Sequence, residues 1–163
     1  MSIHYSYSEI EELVQVYRRS KDPIIFTNGV FDMFHFGHLD LLTRCKKKFP
    51  KSRLIVGVNS DASVKLIKGE FRPIISQHHR AEIINALNVV DAVIVFDEQI
   101  PQELIKIISP EYIVKGDCEY TQRQLNAMIK LITTEVKPEF INFPKIPGLS
   151  TTVILTNILS TIH

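Results

Sequence analysis

Five short apolar runs recur along this chain, and segments of helical period separate them. The runs fall at residues 24–28, 53–59, 92–96, 112–115 and 140–143. They are continuous and not alternating, as in strands covered on both faces. Helical patterns lie at about 36–48, 79–87, 101–108 and 121–132, with a first at 8–20 and a last running from Gly148 to about 160. Strand–helix alternation predicts the α/β class: a Rossmann-like three-layer sandwich, five-stranded and mostly parallel, with right-handed crossovers. In such a sheet a ligand sits beyond the C-terminal strand ends, where the strand order switches.

A chain of 163 residues suits a single domain, 1–163, with residues 1–22 forming a helix that packs on or beside the sheet. Ser8 with Glu11 reads as its capping box, and Ile10, Leu13, Val14 and Tyr17 share one face. That helix is open to two uses, packing on its own sheet or making a homodimer interface. A net charge of +1 gives no overall basic field, so no nucleic-acid partner is expected. The run Lys46-Lys47-Lys48 reads as a solvated helix end. Two cysteines, Cys45 and Cys118, are too few for a disulfide framework, so a reducing cytoplasm is the expected compartment and neither thiol is given a role. No apolar run approaches the roughly 18 residues of a membrane span, and Glu9, Glu11 and Glu12 do not suit a signal peptide.

The densest chemistry lies at residues 26–38, Phe-Thr-Asn-Gly-Val-Phe-Asp-Met-Phe-His-Phe-Gly-His. A strand meets a turn at Asn28-Gly29, and His35 and His38 stand at the mouth of the next helix. A helix N-terminus offers unpaired N–H groups and positive partial charge, which attract phosphate. Histidines add donors there without a fixed charge, and Gly37 lets a phosphate come close to the backbone. Zinc ligation is the competing use of two such histidines. No Cys-x-x-Cys or H-E-x-x-H completes a ligand set, so no protein metal site is expected.

Further clusters carry two readings each. Gly148-Leu-Ser-Thr-Thr152 either only caps a helix or also aims amides and hydroxyls at phosphate. Ser60-Asp61 opens a predicted loop whose Lys65, Lys68 and Arg72 are solvated or face an anion. Arg80 near a helix start is disfavoured unless an anion lies close. Lys115-Gly116-Asp117 is a turn at a strand end or a base- or ribose-reading segment.

Together these residues resemble the H-x-G-H nucleotidylyltransferase (cytidylyltransferase-like) superfamily, with its C-terminal S-T-T. More narrowly they are similar to the adenylyltransferase domain of ADP-heptose synthases. The matching pieces are residues 26–32, His35-Phe-Gly-His38, Val58-Asn-Ser-Asp61, Lys65 with Lys68-Gly-Glu and Arg72-Pro73, Arg80, Val114-Lys-Gly116 and Gly148-Leu-Ser-Thr-Thr152. The likeness runs from about residue 10 to 160. It implies transfer of AMP from ATP to a sugar 1-phosphate such as heptose 1-phosphate, by in-line attack with release of pyrophosphate. It also implies Mg²⁺, held mainly by the triphosphate. His35, His38, Lys65 and Arg80 take catalytic roles in this reading. Thr27, Asn28, Gly29, Phe31, Gly37, Lys115, Gly116, Asp117, Gly148, Ser150, Thr151 and Thr152 bind nucleotide. Asn59, Asp61, Lys68 and Arg72 bind the acceptor, and Asp32 either contacts it or holds the loop.

The segment 114–120, Val-Lys-Gly-Asp-Cys-Glu-Tyr, departs from the Val-Lys-Gly-Gly-Asp-Tyr usual in that branch. Lys145-Ile-Pro-Gly148 is similar to the Arg-Thr-x-Gly of glycerol-phosphate cytidylyltransferases. CTP with glycerol 3-phosphate or another small alcohol phosphate is therefore the alternative pair. A silent nucleotide-binding protein is the alternative of another class.

Overall fold

A computed structural model describes residues 4–116 and 136–162. The strands are β1 (Ile24–Gly29), β2 (Arg53–Asn59), β3 (Ala92–Phe96), β4 (Tyr112–Gly116) and β5 (Glu139–Phe143). They form one sheet in the order β3-β2-β1-β4-β5, and every pairing among them is parallel. The helices are α1 (Tyr7–Arg19), α2 (Phe36–Lys48), α3 (Asp61–Lys68), α4 (Gln77–Asn85), α5 (Gln102–Ile108) and α6 (Thr151–Thr161). The helix predicted at 121–132, with Asp117 and Cys118, lies outside the described residues.

The layers follow from the strand period. Ile24 and Phe26 of β1 point to one face, where Ile10, Val14 and Tyr17 of α1 join Leu104, Ile105 and Ile108 of α5. Ile25 points to the other, against Leu42 and Cys45 of α2 and Ala81 and Ile84 of α4. Each such aliphatic side chain, once fully buried, contributes about 1.5–3 kcal/mol. The N-terminal helix therefore packs on its own sheet. Its cap sits two residues earlier than the sequence predicts: Ser6 N–H donates to Glu9 Oε2 at 2.7 Å and Glu9 N–H to Ser6 Oγ at 3.3 Å.

Two further boundaries differ from expectation. The predicted loop after Ser60 is the helix α3, capped by Ser60 Oγ accepting from Ser63 N–H at 3.1 Å and ended by Gly69 at φ +95°. It is only eight residues long, and its apolar Leu66 and Ile67 are exposed while Ser63 and Val64 are buried. Helix α4 begins at Gln77, so Arg80 lies one turn inside the helix and not at its start.

At the N-terminal strand ends, charge is spent on the backbone. The Asp91 carboxylate accepts from Leu54 N–H at 2.8 Å, Lys46 Nζ at 2.9 Å and Arg53 at 3.2 Å. Glu111 accepts from Ile24 N–H at 2.7 Å, and Arg53 also meets Asp22 at 2.8 Å. The strand order turns around at β1, which lies between β2 and β4. The crevice that this creates opens at the other ends of β1 and β4, beside Asn28-Gly29 and Lys115-Gly116. Among the described residues no helix is long and apolar enough to cross a membrane.

Candidate active site

A cavity of about 380 Å³ occupies this crevice. Its floor is the end of β1 with the loop that follows, Asn28 to Asp32. One wall is the start of α2, with His35, Gly37 and His38; another is the start of α6, with Ser150, Thr151 and Thr152. Lys68 ends α3 and Arg72 comes from the segment after it, while Lys115 and Gly116 come from β4. Four cations, Lys68, Arg72, Lys115 and Lys145, stand against two carboxylates, Asp32 and Asp40. Arg44 meets Asp40 at 2.8 Å, which leaves the lining basic. Lys115 Nζ donates to Asn28 Oδ1 across the β1–β4 boundary.

The two histidines are locally self-ordered. Gly37 N–H donates to His35 Nδ1 at 3.1 Å, and His35 N–H donates to His38 Nδ1 at 3.4 Å. A nitrogen accepting such a bond carries no proton, so each neutral ring keeps its proton on Nε2. The rings stack at 3.8 Å between centroids and 21°. Burial, with His35 alongside, pushes His38 down to about 4 against the opposing pull of Asp32. Burial also lowers His35. Both rings are therefore neutral N–H donors at pH 7. A Cβ on Gly37 would lie 3.0 Å from the His35 ring, so the glycine is what lets the ring fold back on its own helix start.

The start of α6 answers the capping question with both readings. Ser150 Oγ accepts from Val153 N–H at 3.2 Å, the ordinary cap, while Ser150, Thr151 and Thr152 also line the cavity. Thr151 Oγ1 donates to Asp32 O at 2.8 Å and ties the helix to the β1 loop. Gly148 makes the turn before it at φ +73° and does not line the cavity.

Several expected site residues stand elsewhere. Arg80 is 1 % exposed; its guanidinium donates to Val30 O, to Ile75 O at 2.9 Å and to Asp61 Oδ1 at 2.7 Å. It is a buried strut with no face toward the cavity, because three oxygens from distant segments converge on it. Asp61 binds Arg80 and Gln77 N–H, and Asn59 donates to Ser63 Oγ at 3.0 Å, so both organise α3 and α4. Thr27 is fully buried within β1, its hydroxyl unpaired. Lys65 is exposed on α3 and absent from the lining. Leu41, Phe143, Ile146 and Leu149 do line the cavity and were not singled out in the sequence. Phe143 ends β5, so the strand-end rule would have found it.

Among the described residues no three His, Cys, Asp or Glu side chains gather as a metal site. Asp32 already accepts from three donors and Asp40 pairs with Arg44, so a Mg²⁺ here would be held mainly by a triphosphate, with Asp40 the one lining carboxylate that keeps acceptor capacity.

A parallel sheet switching at β1, with two helix N-termini and a basic cavity at the switch, forms a crevice suited to a phosphate-bearing ligand. The chain belongs to the Cytidylyltransferase-like family, whose model matches residues 26–157, and it is a nucleotidyltransferase. It is 40% identical over 158 residues to the bifunctional protein HldE of Campylobacter jejuni, covering 97% of this chain and 32% of that protein. It is 41% identical over 149 residues to the protein of the same name from Campylobacter fetus, covering 91% of this chain and 30% of that one. The chain thus spans under a third of these curated relatives. A crystal structure of the lipopolysaccharide core biosynthesis protein from Thermoplasma volcanium superposes with a TM-score of 0.64 at 27% identity, covering 76% of this chain and 98% of that one.

Proposed function

We propose that this chain transfers AMP from ATP to a sugar 1-phosphate, with a heptose 1-phosphate as the acceptor. The observation that carries the reading is the pair of neutral, Nε2-protonated imidazoles facing a basic cavity between two helix N-termini. An acceptor phosphate oxygen attacks the α-phosphorus in line; the new P–O bond forms as the α–β phosphoanhydride breaks, and pyrophosphate leaves with the bonding pair. Little covalent work is left to the protein beyond positioning and charge stabilisation. His35 and His38 donate Nε2–H to the phosphate oxygens as charge moves onto them. The α6 start, with Ser150 and Thr151, takes the β- and γ-phosphates. Lys68 and Arg72 neutralise the acceptor phosphate, since they line the cavity and Lys65 does not. Mg²⁺ bound to the triphosphate supplies further charge shielding.

The likeness to the HldE proteins favours ATP and a heptose phosphate. Lys145 in the lining favours the second reading, CTP with glycerol 3-phosphate. Pyrophosphate release, crossing ATP and CTP against the two acceptors, separates them. Turnover with ATP and heptose 1-phosphate is the expected result. Turnover only with CTP and glycerol 3-phosphate overturns the substrates and keeps the mechanism. Nucleotide binding without turnover on any acceptor sinks the transferase chemistry proposed here.

A further inference from the structure

Asp32 lies in the cavity floor, yet its carboxylate is turned inward and is 1 % exposed. Oδ2 accepts from Arg72 Nε at 2.7 Å and from Ile74 N–H at 2.9 Å, and Oδ1 accepts from Ile75 N–H at 2.9 Å. A carboxylate has about four lone-pair sites, so three donors in one half of space leave little for a substrate. These donors all come from a segment 40–43 residues downstream. The Asp32 carbonyl meanwhile accepts from Thr151 Oγ1. Arg80 works on the same segment from the opposite side, donating to Ile75 O and to Val30 O. The Ile75 residue is thus held at its N–H by a buried acid and at its C=O by a buried base. On either side of Asp32, Phe31 and Met33 have φ of +53° and +49°, a backbone that costs energy for such residues and persists only where neighbours enforce it.

We propose that Asp32 is a positioning residue and not an acceptor contact: it locks the segment 68–75, with Lys68 and Arg72, and the start of α6 to the histidine loop. The carboxylate thus holds the 72–75 segment and the main-chain carbonyl of the same residue holds the start of α6, so both are fixed to one residue of the histidine loop. Arg72 spends Nε on Asp32, which leaves its two terminal nitrogens to the cavity. The kinetic part of this inference rests on the transferase reading above; the structural part does not.

Hydrogen exchange of the Ile74 and Ile75 amides in the whole chain reads the lock without any substrate. In Asp32→Asn these two amides exchange at least about tenfold faster than in wild type, while amides of β1 and β2 keep their protection. Unchanged exchange at both overturns the proposal. Pyrophosphate release in Asp32→Asn, Arg72→Ala and the double variant then reads the consequence. If Asp32 acts through Arg72, the double variant falls no more than about threefold below the worse single one. Losses that multiply mean that Asp32 acts on the substrate directly, and overturn the positioning role. Should Asp32→Asn fail to fold, Arg72→Ala decides: a loss of at least about tenfold in turnover, with Ile74 and Ile75 still protected, supports the lock, and near-wild-type turnover overturns it. If the wild type turns over no nucleotide–acceptor pair, the functional reading has failed, and the exchange result alone decides the lock.

Discussion

The two ends of the same sheet treat charge in opposite ways. At the N-terminal strand ends, Asp22, Asp91 and Glu111 are closed on Arg53, Lys46, Arg18 and the amides of Ile24 in β1 and Leu54 in β2. Acid there balances base, and the strand N–H groups are satisfied. At the C-terminal ends the excess is basic, and glycines, imidazole N–H groups and helix starts face a cavity. A parallel sheet makes this asymmetry natural, because every following helix points its positive end at the same edge. One end closes its charges on one another and on the backbone, and the other gathers an excess of basic side chains around a cavity. Stability and activity should therefore respond to different residues.

His38→Ala tests the functional end most severely. Removing a preorganised donor is expected to lower turnover by about 10²–10³ with a much smaller effect on ATP binding. Steady-state pyrophosphate release and calorimetric ATP titration check it, and turnover at the wild-type level would take His38 out of the mechanism. Asp91→Ala tests the structural end. It strips the partner from Lys46, Arg53 and Leu54 N–H, and is expected to cost about 3 kcal/mol in urea unfolding. Turnover per folded molecule should stay as in wild type; a parallel fall would show that the two ends are coupled.

A pH series sharpens the contrast. His38 is held near 4, below its ordinary 6.5, so in that window the unfolded chain binds the extra proton. Its contribution to stability is complete above about pH 6.5 and drains away as pH falls toward about 4. Backbone hydrogen bonds and Arg72 hold Asp32 below its ordinary value despite burial, so its contribution is lost only at still lower pH. Urea unfolding from pH 7 to 5 should show the first slope in wild type and a shallower one in His38→Ala, where the lowered His35 still contributes. Side-chain ¹⁵N spectra should show a neutral, Nε2-protonated His38 ring at pH 6, and a His38 ring titrating near 6.5 would refute its neutral-donor assignment. The smallest effect is expected from Lys65→Ala. With its side chain outside the cavity, turnover should stay within about twofold of wild type, and a larger drop in acceptor use would return Lys65 to the site.

What could be read from the sequence was set by local information. The buried strands announce themselves as continuous apolar runs, and His35-Phe-Gly-His38 with Ser150-Thr151-Thr152 carries its own cap chemistry. The segment α3 reads as a loop in the sequence because it is only eight residues long and carries Lys65, Lys68 and Gly69, and because its apolar Leu66 and Ile67 face outward instead of toward the core. Arg80 and Asp32 were harder still. Whether a charged residue faces a ligand or a ring of backbone oxygens and amides depends on partners 40 or 50 residues away, and no local pattern encodes them. The sequence singles out both residues, and the fold shows which backbone and side-chain groups each meets.

Helix α6 has no buried side chain, and Val153, Ile158 and Leu159 stay exposed. Among the described residues little apolar contact opposes its local opening, so the cavity wall proposed to take the β- and γ-phosphates belongs to the low-stability end of the molecule. By mass action, a ligand that engages only the docked helix must shift that local equilibrium, and part of its intrinsic affinity goes into ordering the helix. The affinity of this enzyme for nucleotide is thus adjustable from outside the contact surface. Apolar changes along α6 that never touch the phosphates would tighten or loosen binding by altering how much of the helix is already docked.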